Sequence, residues 1–336
     1  MKISNWSQYV LGFLAGGAIL AGCSSNGSTP GYILSARVPA DRTTSQANPM
    51  PRGVSPSKTN LGWLSYQART GKQLLFVADQ PSQSVYIFPQ RGKNPAPIGA
   101  ITQGISAPTG LFVDRHGTLY VCNFGAGTVT VYPKGSLSPS KTLTQAGNAP
   151  IDVVVGRDGT VYVSDFNEGV NGHVFEYANG STTPTTTISL TGYPEGLALD
   201  HSNKLYVAYQ KTNTAGTVLK FKPGSTRGHD LGLAITLVGG ATVDSRDDLL
   251  VADQSNPDPH VDVFPPGAKT PSQTIGGFAL ALDIALNHDD GHLYVTQNQN
   301  PAVVYEVSYP SGTILRQITK SLVAIYGVAT SPDGSP

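Results

Sequence analysis

The feature that most restricts the fold of this chain is a short strand, aliphatic–aromatic–Val in pattern, that returns six times. It reads Leu75-Phe76-Val77, Leu119-Tyr120-Val121, Val161-Tyr162-Val163, Leu205-Tyr206-Val207, Leu249-Leu250-Val251 and Leu293-Tyr294-Val295. The final Val recurs at spacings of 44, 42, 44, 44 and 44 residues. A period in the forties holding several short strands is the signature of a propeller blade, a unit that buries its apolar faces only against its neighbours. The spacing therefore predicts an all-β fold: a six-bladed β-propeller with four-stranded antiparallel blades.

Each unit parses into four strands. The first follows a Pro or Gly signal, as in Pro108-Thr-Gly-Leu-Phe-Val-Asp114 and Pro194-Glu-Gly-Leu-Ala-Leu-Asp200. Turns rich in Asp and Gly follow (Arg115-His116-Gly117, Arg157-Asp158-Gly159, His201-Ser202-Asn203), residue types that tolerate the positive φ of tight hairpins. The Leu-Tyr-Val strand is second. The third alternates with period two, as in Thr128–Tyr132 and His260–Phe264, and Pro-Gly turns lead to a more polar outer strand. A seventh fragment, Tyr326–Gly334, resembles a first strand and turn. Propellers close by letting the two termini share a blade, which removes exposed edges. Either this fragment or Leu64–Gln67 is then the innermost strand of the closing blade.

The Pro-x-Gly-Leu-x-Val-Asp, Leu-Tyr-Val-x-Asp and Val-x-Val-Phe segments resemble the repeat of the NHL propellers over about residues 61–331. That resemblance implies architecture and leaves function open, because the fold carries lactonases, lyases, strictosidine-synthase-like enzymes and pure binding modules.

The amino terminus reads as an address. Lys2 precedes an uncharged apolar stretch from Val10, too short to span a bilayer, that ends in Leu20-Ala21-Gly22-Cys23. This is similar to the lipobox of bacterial lipoproteins, which implies a signal peptide over 1–22 and lipid attachment at Cys23. Two or more acyl chains hold a protein stably on a membrane where one does not. Ser24 after the Cys, by similarity to sorting rules in two-membrane bacteria, favours the outer membrane. Residues 23–58, with Ser24-Ser-Asn-Gly-Ser-Thr-Pro30 and Asn48-Pro-Met-Pro-Arg-Gly53, have a tether's composition. The expected organisation is signal peptide, flexible tether and a propeller over 59–336, at the bacterial cell envelope. The other cysteine, Cys122, then has no partner and reads as a buried, inert thiol.

Twenty-two Lys and Arg balance 22 Asp and Glu, and no basic run stands out, which argues against nucleic acid as a partner. The partners expected are the membrane, through the anchor, and an unknown protein or small-molecule ligand.

Aligning the repeats places Thr109, Ile151, Glu195, Gly239, Leu282 and Tyr326 at one position around the channel mouth. Gly110, Asp152, Gly196, Gly240, Asp283 and Gly327 occupy the next, and Asp79, Asn123, Asp165, Tyr209, Asp253 and Gln297 end the second strands. Two readings of the acids are open. In one, Glu195, Asp152 and Asp283 converge with Asp165 or Asp253 on a divalent cation, Ca²⁺ or Mg²⁺, that would polarise a lactone carbonyl. Gluconolactonase-like propellers are built in this way, with a Glu, an Asn and an Asp, but their ligand positions do not match this chain residue by residue. In the other, the acids that end second strands accept backbone N–H bonds and cap their own turns. Among the histidines, His116, His201, His288 and His292 fall in or beside first-hairpin turns on the face opposite the mouth, as surface residues. His173 and His260 begin third strands without a His-x-His spacing. Neither a Gly-x-Ser-x-Gly elbow, a phosphate loop, a Cys-x-x-Cys nor a dinucleotide fingerprint is present, so no catalytic residue is assigned. The expected function is a membrane-anchored binding module; the alternative is a metal-dependent, lactonase-like hydrolase or lyase at the channel mouth.

Overall fold

The computed structural model describes residues 62–71, 73–147, 149–166, 171–212 and 214–332. The expected signal peptide over 1–22, Cys23 and the expected tether over 23–58 lie outside these residues. Among the described residues are six antiparallel sheets. The Leu-Tyr-Val strands sit second in each blade, flanked on both sides, and are buried almost throughout: Leu74–Asp79, Leu249–Asp253 and Val161–Asp165 are buried at every position. Apolar side chains on both faces of these strands pack into clusters between successive blades. One such cluster joins Leu250 and Val263 of the fifth blade to Leu293 and Val307 of the sixth.

Closure answers the question the sequence left open. Ile325–Thr330 is the innermost strand of blade 1, antiparallel to Leu74–Asp79. The amino-terminal Trp63–Leu64 is the outermost, against Gly99–Ala100, and makes that blade five-stranded. Tyr66–Thr70 is not a strand but one turn of helix, capped by the Ser65 hydroxyl accepting the Ala68 N–H.

The inner strands of blades 2 to 6 are Pro108–Val113, Pro150–Val155, Tyr193–Leu199, Val238–Val243 and Ile284–Leu286. The hairpins that follow are built as expected. Asp114, Asp200 and Asp244 each accept two N–H groups of their own turn. The positive φ falls on Gly117 and Gly159 in two blades and on Asn203, Asp247 and Asp290 in three others. These last three also lock neighbouring blades: their side chains accept the N–H of Arg157, His201 and Ser245 on the preceding hairpin.

Candidate functional site

In most blades the inner strand is interrupted by a bulge where it starts, for instance between Pro108 and Leu111, Pro194 and Leu197, or Val238 and Ala241. A bulge turns side chains out of the ladder, and here it brings the aligned ring positions to the axis. There the blades approach so closely that a Cβ on Gly327 would lie 2.2 Å from the Thr109 carbonyl oxygen, and one on Gly240 would lie 2.1 Å from Asp283 Oδ1. Glycine is required at these positions for space, not for φ.

Asp152 and Asp283, the two acids at this ring position, lie in blades 3 and 6, opposite each other across the axis. Each occupies the hollow left by the preceding blade's glycine and clasps the next blade. Asp152 Oδ2 accepts the Leu197 N–H at 2.7 Å, and Asp283 Oδ2 accepts the Val328 N–H at 2.9 Å. Behind each stands a hydroxyl. Ser164 Oγ accepts the Asp152 N–H and donates to the Glu195 carbonyl, while Thr296 Oγ1 does the same for Asp283 and the Tyr326 carbonyl. The two half-sites are thus related by a pseudo-two-fold axis.

Glu195 and Tyr326, in blades 4 and 1, also face each other, and the Tyr326 hydroxyl donates to Glu195 Oε2 at 3.1 Å. Burial holds the Glu195 carboxyl up at about 7, opposed by the Tyr326 bond. Burial likewise raises Asp152 and Asp283, and for Asp152 the charges of Asp283 and Glu195 add to it. Desolvation is the largest cause in each case.

Three of the proposed acids are therefore brought together, but as clasps within the wall. Among the described residues no group of three or more His, Cys, Asp or Glu side chains is arranged to hold a metal ion. Asp165 and Asp253 are engaged elsewhere. Asp165 accepts the Ala149 N–H, and Asp253 accepts those of Thr236, Leu237 and Ser255. They fasten the loop entering their own blade, a wider clasp than the turn cap the sequence suggested; Asp253 and Asp79 make both, the cap to Ser255 and to Ser82 and the wider bond to Thr236 and Leu237 and to Val323. Cys122 is fully buried.

The expected mouth is covered. Ile151, Leu280, Leu282 and Tyr326 form an apolar cluster there, with Phe124 and Phe166 against it. The cavity, about 570 Å³, opens at the other end. Asp152 and Asp283 lie at its inner end, all six inner strands form its wall, and Arg115, His116, Arg157, Asn179 and His201 edge it. His116 and His201 are exposed turn residues, as expected, but they border the opening. The sequence reading missed Ser164, Thr296 and the Tyr326–Glu195 contact. A signal for the first two exists: the residue before the end of the second strand is hydroxylated only in the two blades that carry an inner Asp.

No protein-family model and no curated protein sequence matches the chain. Solved structures do. A chain of a nidogen/laminin complex is 15% identical with a TM-score of 0.61, over 77% of this chain and 98% of that one. A Bacteroides caccae protein of unknown function is 12% identical, with a TM-score of 0.60 and the same coverages. The PQQ-bound aldose sugar dehydrogenase of Streptomyces coelicolor is 15% identical, TM-score 0.51, over 69% of this chain and 86% of that one. At such identities the likeness establishes the β-propeller fold and nothing of the site.

Proposed function

We propose that the chain is a cell-envelope lipoprotein, acylated at Cys23, whose NHL-like propeller binds a ligand in its central channel from the hairpin face. The observation that carries the binding reading is the cavity, closed at one end by an apolar cluster and open at the other. Its volume lies within the roughly 300–1,000 Å³ of small-molecule sites. The acids at its inner end are committed to backbone N–H groups of neighbouring blades, which supports a role in shaping the site over one in catalysis.

The anchoring reading rests on Leu20-Ala-Gly-Cys23 and the polar segment after it. Fractionation of cells expressing Cys23→Ser tests it. The parent is expected in the membrane fraction and the variant in the soluble fraction; an unchanged membrane fraction would remove the lipobox reading. Ligand binding is tested separately by hydrogen exchange.

A further inference from the structure

The wall of the cavity is made of main chain. In every blade the residue after the inner strand pairs with the second strand, as Asp114 N does with Thr118 O, Gly156 N with Thr160 O, Asp200 N with Lys204 O and Asp244 N with Asp248 O. Antiparallel neighbours alternate between paired and unpaired positions. The N–H and C=O of the residue before (Val113, Val155, Leu199 and Val243) therefore point away from their sheet and toward the axis. Two contacts verify that orientation in the remaining blades and positions: Thr330 Oγ1 donates to the Leu286 carbonyl, and Leu197 N to Asp152. No hydrogen bond joins the axial N–H or C=O of Val113, Val155, Leu199 or Val243 to another described residue. Four adjacent blades thus offer four donors and four acceptors at one level. The four side chains are half-buried aliphatics, and two carboxyl groups lie deeper. In an open channel water meets such groups, and a ligand dense in hydroxyl groups replaces that water while satisfying donors and acceptors together.

We infer that the channel, on the binding reading above, takes a neutral polyhydroxylated ligand, a monosaccharide or cyclitol. Its hydroxyls bond the inner-strand N–H and C=O groups of Val113, Val155, Leu199 and Val243, and its C–H face lies on their side chains. The Asp152 and Asp283 carboxyls, each with acceptor capacity beyond its clasp, receive hydroxyls at the inner end.

The test is hydrogen exchange on the full-length protein in mild detergent, read by mass spectrometry. Its probe panel is neutral hexoses, hexitols and inositol, set beside glucuronate and glucosamine as charged analogues of the same size. A neutral member is expected to slow exchange in the segments holding Val113, Val155, Leu199 and Val243, roughly tenfold at ten times its Kd. Asp283→Asn is expected to weaken that ligand about tenfold, the effect of exchanging one carboxyl oxygen for an amide donor. Protection by glucuronate or glucosamine alone would overturn the ligand class and leave the cavity as a binding site. Protection by no member would overturn both. Unchanged affinity in Asp283→Asn would remove the inner carboxyls from the site.

Discussion

Replacing Glu195 by Gln should reverse part of the protein's dependence on pH. In the folded protein the carboxyl is held at about 7, against 4.5 for an ordinary Glu, because burial disfavours its charge. Between those values the folded chain keeps a proton that the unfolded chain has released. Stability therefore falls as pH rises from about 4.5 to about 7 and is level above that. Each pH unit in the window removes about 1.4 kcal/mol, roughly 3 kcal/mol in all from this group. Gln is isosteric, carries no proton and still offers an oxygen to the Tyr326 hydroxyl. Urea unfolding of both proteins at pH 5, 6, 7 and 8, followed by circular dichroism, gives the difference directly. The variant is expected to gain on the parent steadily and to be the more stable by up to about 3 kcal/mol at pH 8. Asp152, which the Glu195 charge helps to raise, is partly relieved in the variant, a change of the same sign that adds to the difference. Parallel curves across this range would refute the raised carboxyl.

Tyr326→Phe removes the donor that favours ionised Glu195, so the upper end of the same pH window should move upward, with about 1 kcal/mol lost from stability. Gly240→Ala brings a Cβ against Asp283 Oδ1 and within 2.8 Å of its Cα; a loss of about 1–3 kcal/mol in denaturant unfolding is expected, the cost of overpacking. Melting curves of the parent with calcium and with chelator should superimpose, because the acids at the axis serve as clasps; a calcium-dependent rise in Tm would restore the metal-site reading.

The blades were legible because their signals are side chains at fixed intervals. The buried Leu-Tyr-Val strands and the turn residues Gly117, Gly159 and Asn203 mark blade count and hairpin position. The alignment of ring positions was also sound, bringing Glu195, Asp152 and Asp283 to the axis. Their partners were not legible. Asp152 reaches the main chain of Leu197, 45 residues on, and an amide has no signature in the sequence. Tyr326 stood in the aligned ring, but its reach to Glu195 depends on blades 1 and 4 being opposite, a property of closure. The location of the cavity was misjudged for the same reason. The sequence directed attention to the face with acids, whereas Ile151, Leu282, Phe124 and Phe166 cover that face. The open end is walled by peptide groups that any residue would supply.

Residue-resolved amide exchange of the protein without added ligand tests the central claim, that the inner strands present a row of main-chain groups to an open channel. Val113, Val155, Leu199 and Val243 should exchange fast beside slow neighbours Phe112, Val154, Ala198 and Thr242, which bond the second strands. Leu197 and Val328 also face the axis, yet should be slow, because Asp152 and Asp283 hold them. Uniform protection along the inner strands, with no alternation, would contradict the account.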